Sequence, residues 1–374
     1  MNQPYEWLII GGGVHGMTVF HALLERGVKQ KNIAIIDRHA TPLANWQRQT
    51  ARIEMPYLRS TRVHHTSTNP TSLRRFADEQ EYTSQAFKDT YGRPSLELFN
   101  DHAIQLAKQN GADESWFQAD VSGLSKSVEY WQIKTSNRTF QAKRVVLALG
   151  QSERLHLPDW ADATQHVFEE REETPPVLVI GGGISAIHYT IRCAKKFPGQ
   201  VTLITKRSLE QSAFDADRKF MGPKGLTPFK SLSLRERRQL IAAERKPGTA
   251  PQELIQRMRH LIRSGHVIHQ IGEVKQQTTG GVMLTDGTDL KGMTIVCATG
   301  IRPLTIQGSW LESVQRQFDL PLSPCGTPVL NEETFEWGEG LYATGSLADL
   351  TVGPFARSIY GGQVAARAIV TAVL

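Results

Sequence analysis

The 374-residue chain holds only three cysteines, Cys193, Cys297 and Cys325, and no C-x-x-C pair. That excludes a disulfide scaffold and a dithiol redox motif. No run of about 18 apolar residues occurs, so no membrane-spanning helix and no membrane association are expected. The nearest approach, "PPVLVIGGGISAIHYTI", is broken by its own glycines. Trp7-Leu8-Ile9-Ile10 opens an apolar run almost at once, with neither a basic leader nor a cleavage pattern before it, so a cytoplasmic location is expected. His64 and His65 are adjacent but lack a third ligand, and no metal is expected. The net charge is +6, yet no basic-aromatic patch accompanies it, so nucleic acid is not an expected partner. The basic run "RERRQLIAAERK" (235–246) interleaves apolar residues and reads as a helix with a solvated face. The charge leaves open an affinity for small anions, phosphorylated cofactors included.

What is present is a duplication, in a chain long enough for two or three domains. "WLIIGGGVHG" (7–16) is an apolar strand entering a turn with Gly11, Gly13 and Gly16. "VLVIGGGISA" (177–186) repeats it with Gly181, Gly183 and Ala186. Helical stretches follow, "MTVFHALLERG" and "IHYTIRCAKKF", and then second apolar strands, "NIAIID" and "VTLITKR". Later strands "RVVLALG" and "TIVCATG" end at Gly150 and at Thr299-Gly300. Near-continuous apolar strands belong in parallel sheets buried on both faces. A G-x-G-x-x-G turn between strand and helix binds a dinucleotide: one glycine makes the turn, the second admits the pyrophosphate, and the third position lets the helix pack close. Helix N–H groups at Val14-His15 and Ile184-Ser185 face the phosphates.

The second strands end differently. Asp37, followed by Arg38, stands at the place about 20 residues on where an acid takes the ribose hydroxyls of an unphosphorylated dinucleotide. Thr205-Lys206-Arg207 offers instead a hydroxyl and two cations, which favour a 2′-phosphate. The first site therefore reads as FAD and the second as NADPH rather than NADH. "GLYATGSLADLTVGPFARSIYGGQVAARAIV" (340–370) reads as a strand, a turn and a helix beginning near Gly353-Pro354-Phe355.

On these motifs the chain resembles the two-dinucleotide-binding flavoproteins, and among them the flavin-dependent monooxygenases of the lysine and ornithine N-hydroxylase type. "CATGIRP" (297–303) is similar to the segment that follows their NADPH domain, and residues 46–79, from Trp46 to "NPTS" and a helix, to the segment near their flavin. "WADATQH" keeps the spacing of their F-x-G-x-x-x-H motif at Trp160, Asp162 and His166, with only the His unchanged. Val14-His15 stand where those enzymes carry Pro and Asn, Ser346 after Gly345 stands where many FAD enzymes carry an Asp, and the chain is shorter than typical members. The resemblance implies an α/β fold of two Rossmann-like domains, FAD at 1–170 plus 301–374 and NADPH at 171–300, the second inserted into the first. The last helix would point its N-terminus at the flavin. It further implies NADPH reducing FAD, formation of a flavin C4a-hydroperoxide from molecular oxygen, and oxygen transfer to a small nucleophilic, amine-like substrate. An NADPH-dependent reductase passing electrons to a quinone, an iron centre or a protein is the alternative, and a non-enzymatic redox sensor is a third.

Individual residues carry narrower expectations. Trp46 is a candidate for flavin stacking. Arg59 is a candidate for holding a substrate anion and His64 and His65 for proton transfer. Asp215 and Asp217 are candidates for meeting a cationic substrate, "MGPKG" (221–225) reads as a turn, and "QELIQRMRHLIRSG" (252–265) reads as an amphipathic packing helix. Cys325 reads as a loop residue.

Overall fold

The structure is a computed structural model and describes residues 3–150, 155–161, 164–245, 248–301 and 304–373. The elements that frame the site are, in chain order, β1 (Tyr5–Ile10), α1 (Val14–Glu25), β2 (Ile33–Asp37), α2 (Ala44–Arg52), β3 (Thr139–Leu147), β4 (Val177–Ile180), α3 (Ile184–Lys196), β5 (Val201–Thr205), β6 (Thr294–Cys297), β7 (Leu341–Ala343) and α4 (Ile359–Ile369). Apolar runs that do not alternate need cover on both faces, and two separate sheets provide it. The first is ordered Glu336–Gly338, β7, β3, β1, β2, Trp116–Gln118, and a hairpin, Val121–Lys126 with Trp131–Thr135, continues off β3. The second is ordered Ile268–Ile271, β5, β4, β6, Gln165–His166 and is parallel throughout. It draws on residues 165–297, between β3 and β7, and begins ahead of the expected residue 171 because Gln165 pairs with Val296.

The duplication holds at the level of the backbone. Ile10 of β1 lies opposite Ile36 and Leu147, and Ile180 of β4 opposite Ile204 and Cys297. At the exit of each central strand the next amide donates across: Gly11 N to Ile36 O at 2.8 Å and Gly181 N to Ile204 O at 3.0 Å. The third strands answer in the same way, Ala148 N to Ile10 O at 2.9 Å and Ala298 N to Ile180 O at 2.8 Å. Leu8, Ile9, Val145 and Val146 are fully buried in one core, and Val177, Val179, Leu203 and Val296 are fully buried in the other. Each such side chain contributes about 1.5–3 kcal/mol.

Between β5 and the helix Gln252–Arg263 lies an added segment with helices Pro223–Ser231 and Leu234–Glu244. Its Phe214, Phe220, Phe229 and Ile241 pack on Leu350 and Phe355 of the C-terminal segment. The expected "MGPKG" turn is a helix start: Gly222 is the N-cap and Pro223, whose fixed φ and missing N–H suit the first turn, begins the helix. The basic run forms a helix closed by a Ser233–Glu236 capping box, but its face is not wholly solvated. Arg237 is buried, donating to Leu232 O and Leu350 O, each at 3.1 Å, and to Lys230 O. In Gln252–Arg263, Leu254, Ile255 and Met258 are buried on one face. The C-terminal helix begins at Ile359, not at Gly353-Pro354. Gly353 has φ +87 and ends a short turn, and the Ser358 side chain accepts from Gly361 N as the N-cap. No described helix is long and apolar enough to cross a membrane.

The third positions of the two glycine turns differ physically. A Cβ at Gly16 would lie 1.8 Å from Gly11 O, whereas Ala186 is accommodated in full burial. We expect Gly16→Ala to destabilise the chain by about 2 kcal/mol or more through backbone displacement, and Ala186→Gly by about 1 kcal/mol through helix propensity. Urea unfolding of the two variants checks both values.

Candidate functional site

The first cradle forms where β1 runs into α1. Gly11 adopts φ +103, and a Cβ there would lie 2.3 Å from Ala148 O. A Cβ at Gly13 would meet no atom within 4 Å, so the backbone in front of the α1 N-terminus is open to a pyrophosphate. Asp37, at the end of β2, is fixed by the turn: Oδ2 accepts from Gly12 N at 2.6 Å and Oδ1 from His39 N at 2.8 Å. Each oxygen keeps acceptor capacity for ribose hydroxyls. Arg38 pairs with Asp120 at 3.2 Å. His15 sits in the turn with its ring directed at the C-terminal segment. Its Nε2 donates to Ser358 O at 2.9 Å, so Nδ1 accepts from the Thr344 hydroxyl at 2.9 Å, and desolvation lowers its pKa to about 4. Gly150 and Gly345 both have positive φ, and the Ser346 hydroxyl donates to Gly150 O at 2.9 Å, closing β3 against β7. Phe355 is buried in the cluster that includes Leu350 and Phe229.

The second cradle opens on a cleft of about 630 Å³, lined by Gly181, Gly183, Thr205, Lys206, Arg207, Glu273, Thr299 and Gly300. A Cβ at Gly183 would also meet nothing within 4 Å. Lys206 pairs with Glu273, and Arg207 lies 3.7 Å from Glu210. Thr299 donates to His156 O. Gly300 O accepts from His156 N at 3.1 Å and from His166 Nε2 at 2.9 Å, which fixes this lip of the cleft. His166 is buried, and burial lowers its pKa. Trp160 lines the cleft, whereas Asp162 and Arg302-Pro303 lie outside the described residues. A smaller cavity of about 190 Å³ adjoins the same turn, with Gly183, Ile184, Ser185, Arg59 and Asp215 in its wall.

Arg59 spends its guanidinium on the added segment. It donates to Ser212 O and Phe214 O at 2.8 Å and to Ala213 O at 3.2 Å, and pairs with Asp215 at 2.5 Å. It is a tie between the two halves. Asp217 caps the 3-10 turn Arg218–Met221 through Lys219 N. Trp46 donates Nε1–H to Asn100 at 3.0 Å and packs on Phe99. Cys325 Sγ sits 3.1 Å from the Ser323 hydroxyl on an exposed loop.

His64 and His65 belong to a buried imidazole group with His21 and His102. His65 packs edge-on to His102, and His64 lies against Tyr360 of α4. Gln363 of α4 ties the loop down by donating to Val63, His65 and Ser67 carbonyls. Burial lowers the pKa of His21, His64 and His65 to about 4 and of His102 to about 3. Among the described residues His64 Nδ1, His21 Nε2 and His102 Nδ1 have no hydrogen-bond partner.

A family model described as FAD-NAD(P)-binding matches residues 8–152. No curated protein matches the chain. Among solved structures, the ornithine N-hydroxylase of Kutzneria sp. 744 superposes with a TM-score of 0.80 at 14% identity, covering 99% of each chain. The ornithine hydroxylase of Pseudomonas aeruginosa gives 0.79 at 16%, again over 99% of both. The chain has the fold of the ornithine N-hydroxylases. The bacillithiol disulfide reductase of Bacillus cereus also superposes over 99% of each chain, at 18% identity, but with a TM-score of 0.63.

Within this N-hydroxylase fold, sequence reading missed the residues that join its parts. Glu173, just before β4, receives Arg52 of α2 and Arg192 of α3, each at 2.7 Å, and the Tyr189 hydroxyl at 2.8 Å. Burial alone would raise its pKa, but the hydrogen bonds from Arg192 and Tyr189 and the charge of Arg52 bring it below the usual range. Buried Arg93 pairs with Asp89 at 2.6 Å and with Glu253. Asp349 is enclosed by Arg245 at 2.8 Å, Arg357 at 2.6 Å and Arg238 at 3.9 Å. No spacing rule announces Arg52 with Glu173, Arg93 with Glu253 or Arg245 with Asp349, because the members of each pair lie about 100 residues or more apart in the chain.

The buried histidines predict a pH dependence. Their folded pKa values lie below the ordinary 6.5, so the unfolded chain binds more protons between about 6.5 and 4, and stability falls as pH falls through that window. Urea midpoints should drop from pH 7.5 to pH 4.5, and His102→Gln should make the drop smaller.

Proposed function

We propose that this chain is an FAD-dependent, NADPH-oxidising monooxygenase that acts with molecular oxygen on a small amine, in the cytoplasm. The observation that carries the reading is the pair of cradles, each with an open glycine before a helix N-terminus, one ending in Asp37 and the other in Lys206-Arg207. Asp37 holds the ribose of FAD, and Gly13 with the α1 N-terminus holds its pyrophosphate. Gly183 and the α3 N-terminus take the pyrophosphate of NADPH, and Lys206 and Arg207 take its 2′-phosphate. When bound, FAD supplies the hydride-accepting and oxygen-activating chemistry. The chain binds and orients the two partners. Arg59, by holding residues 212–215, keeps the added segment against the smaller cavity, and His64 and His65 stay neutral at the base of α4 and are the candidates for moving a proton.

The likeness to the ornithine hydroxylases at TM-scores near 0.80 supports the amine reading. The likeness to the bacillithiol disulfide reductase, at 0.63, supports the second reading, an NADPH-dependent reductase with another acceptor. Purified protein should carry a flavin spectrum, oxidise NADPH faster than NADH, and couple oxygen uptake to hydroxylamine formation from a panel of diamines and amino acids. Turnover that requires an added quinone or disulfide, with no hydroxylated product, would favour the reductase. Combined Lys206→Ala and Arg207→Ala should raise the KM for NADPH about tenfold or more with kcat little changed, the mark of binding made equally in ground and transition states.

A further inference from the structure

β5 ends at Thr205, so the repeat delivers no carboxylate to the second cradle. The sheet order supplies one from elsewhere. The strand Ile268–Ile271 runs parallel to β5 with Ile271 opposite Thr205, and Glu273 follows two residues beyond. Its backbone is pinned on both sides: Gly272 N donates to Thr205 O at 2.9 Å, and Glu273 O accepts from Thr285 N at 2.8 Å. The Glu273 carboxylate reaches the Lys206 ammonium, and both side chains line the cleft. The Thr205 hydroxyl is committed to the turn, donating to Arg207 O at 2.7 Å and meeting His269 Nε2 at 2.8 Å. It therefore shapes the cationic end of the cleft and leaves the recognition to Lys206, Arg207 and Glu273.

We propose that Glu273 sets the discrimination between the two nicotinamide dinucleotides. Without a nucleotide it is the counter-ion of Lys206. A 2′-phosphate, carrying close to two negative charges and strong acceptors, takes Lys206 from it and is repelled by the displaced carboxylate. A ribose without that phosphate presents hydroxyls instead, and Glu273 accepts their hydrogen bonds as Asp37 does in the first cradle. NADPH preference is thus held below what Lys206 and Arg207 alone would give, and NADH is admitted as a weaker donor. The inference rests on the NADPH reading of this cleft.

The test is calorimetric titration of NADP⁺ and NAD⁺ into the flavin-loaded protein and its Glu273→Gln variant at low salt. The half-exposed position of the carboxylate makes misfolding of the variant no obstacle. An exposed charge of this kind shifts affinity by about three- to fivefold. Glu273→Gln should therefore bind NADP⁺ about threefold tighter and NAD⁺ about threefold weaker, and the NADP⁺ gain should shrink at high salt. Wild-type protein that binds NADP⁺ while the variant shifts neither affinity, or weakens both alike, would overturn the role of Glu273 alone. Wild-type protein that binds neither nucleotide would overturn the NADPH reading and this inference with it.

Discussion

The site depends on how closely the backbone passes itself at the end of each central strand. At Gly11 and Gly181 the amide donates to the neighbouring strand while the space for a Cβ is filled by the carbonyl of Ala148 or Ala298. Only glycine at positive φ fits such a crossing. The crossing turns the chain sharply enough for the next helix to start over the sheet, its free N–H groups facing outward beside an open glycine. Two such crossings, about half a chain apart, give the molecule two anion cradles of one design.

What joins the two cradles is ionic. Glu173 gathers Arg52 from one half and Arg192 from the other, Arg93 reaches Glu253, and Arg59 reaches residues 212–215. Glu173, Arg52 and Arg93 are largely withdrawn from water, where a pair satisfied on all sides is tolerated but a partner left alone is costly, about 3–5 kcal/mol. Such contacts fix geometry more than they add stability. The apolar contacts of Phe214, Phe220 and Phe229 with Leu350 and Phe355 complete the seam and bring the added segment against the C-terminal turn.

Charge is distributed to match. The first cradle presents a carboxylate held by two backbone amides. The second presents two cations, each facing a carboxylate. The histidine group beside α1 and α4 is uncharged, because burial opposes protonation more strongly than any neighbour favours it. The two cradles thus differ in the charge they present, and the buried histidine group beside α1 and α4 adds none.

The repeat, the two strand–turn–helix units and the contrast between Asp37 and Thr205-Lys206-Arg207 were legible in the sequence, because each depends on residues close together in the chain: an apolar run, a glycine spacing, a strand end. The same local signals misplaced the start of the last helix, where a Gly-Pro pair resembled a helix start but Ser358 supplied the cap. They gave the basic run a helix with a solvated face but not the inward fold of Arg237, which donates to Leu232 O and Lys230 O nearby and to Leu350 O of the packed C-terminal segment. Tertiary structure alone decided that Arg59 is a tie, that Glu173 and Asp349 are ionic hubs, and that a carboxylate reaches the second cradle from a neighbouring strand. Sheet order sets the last of these meetings and the packing of helices and loops the others, and both bring together residues whose separation along the chain carries no local pattern.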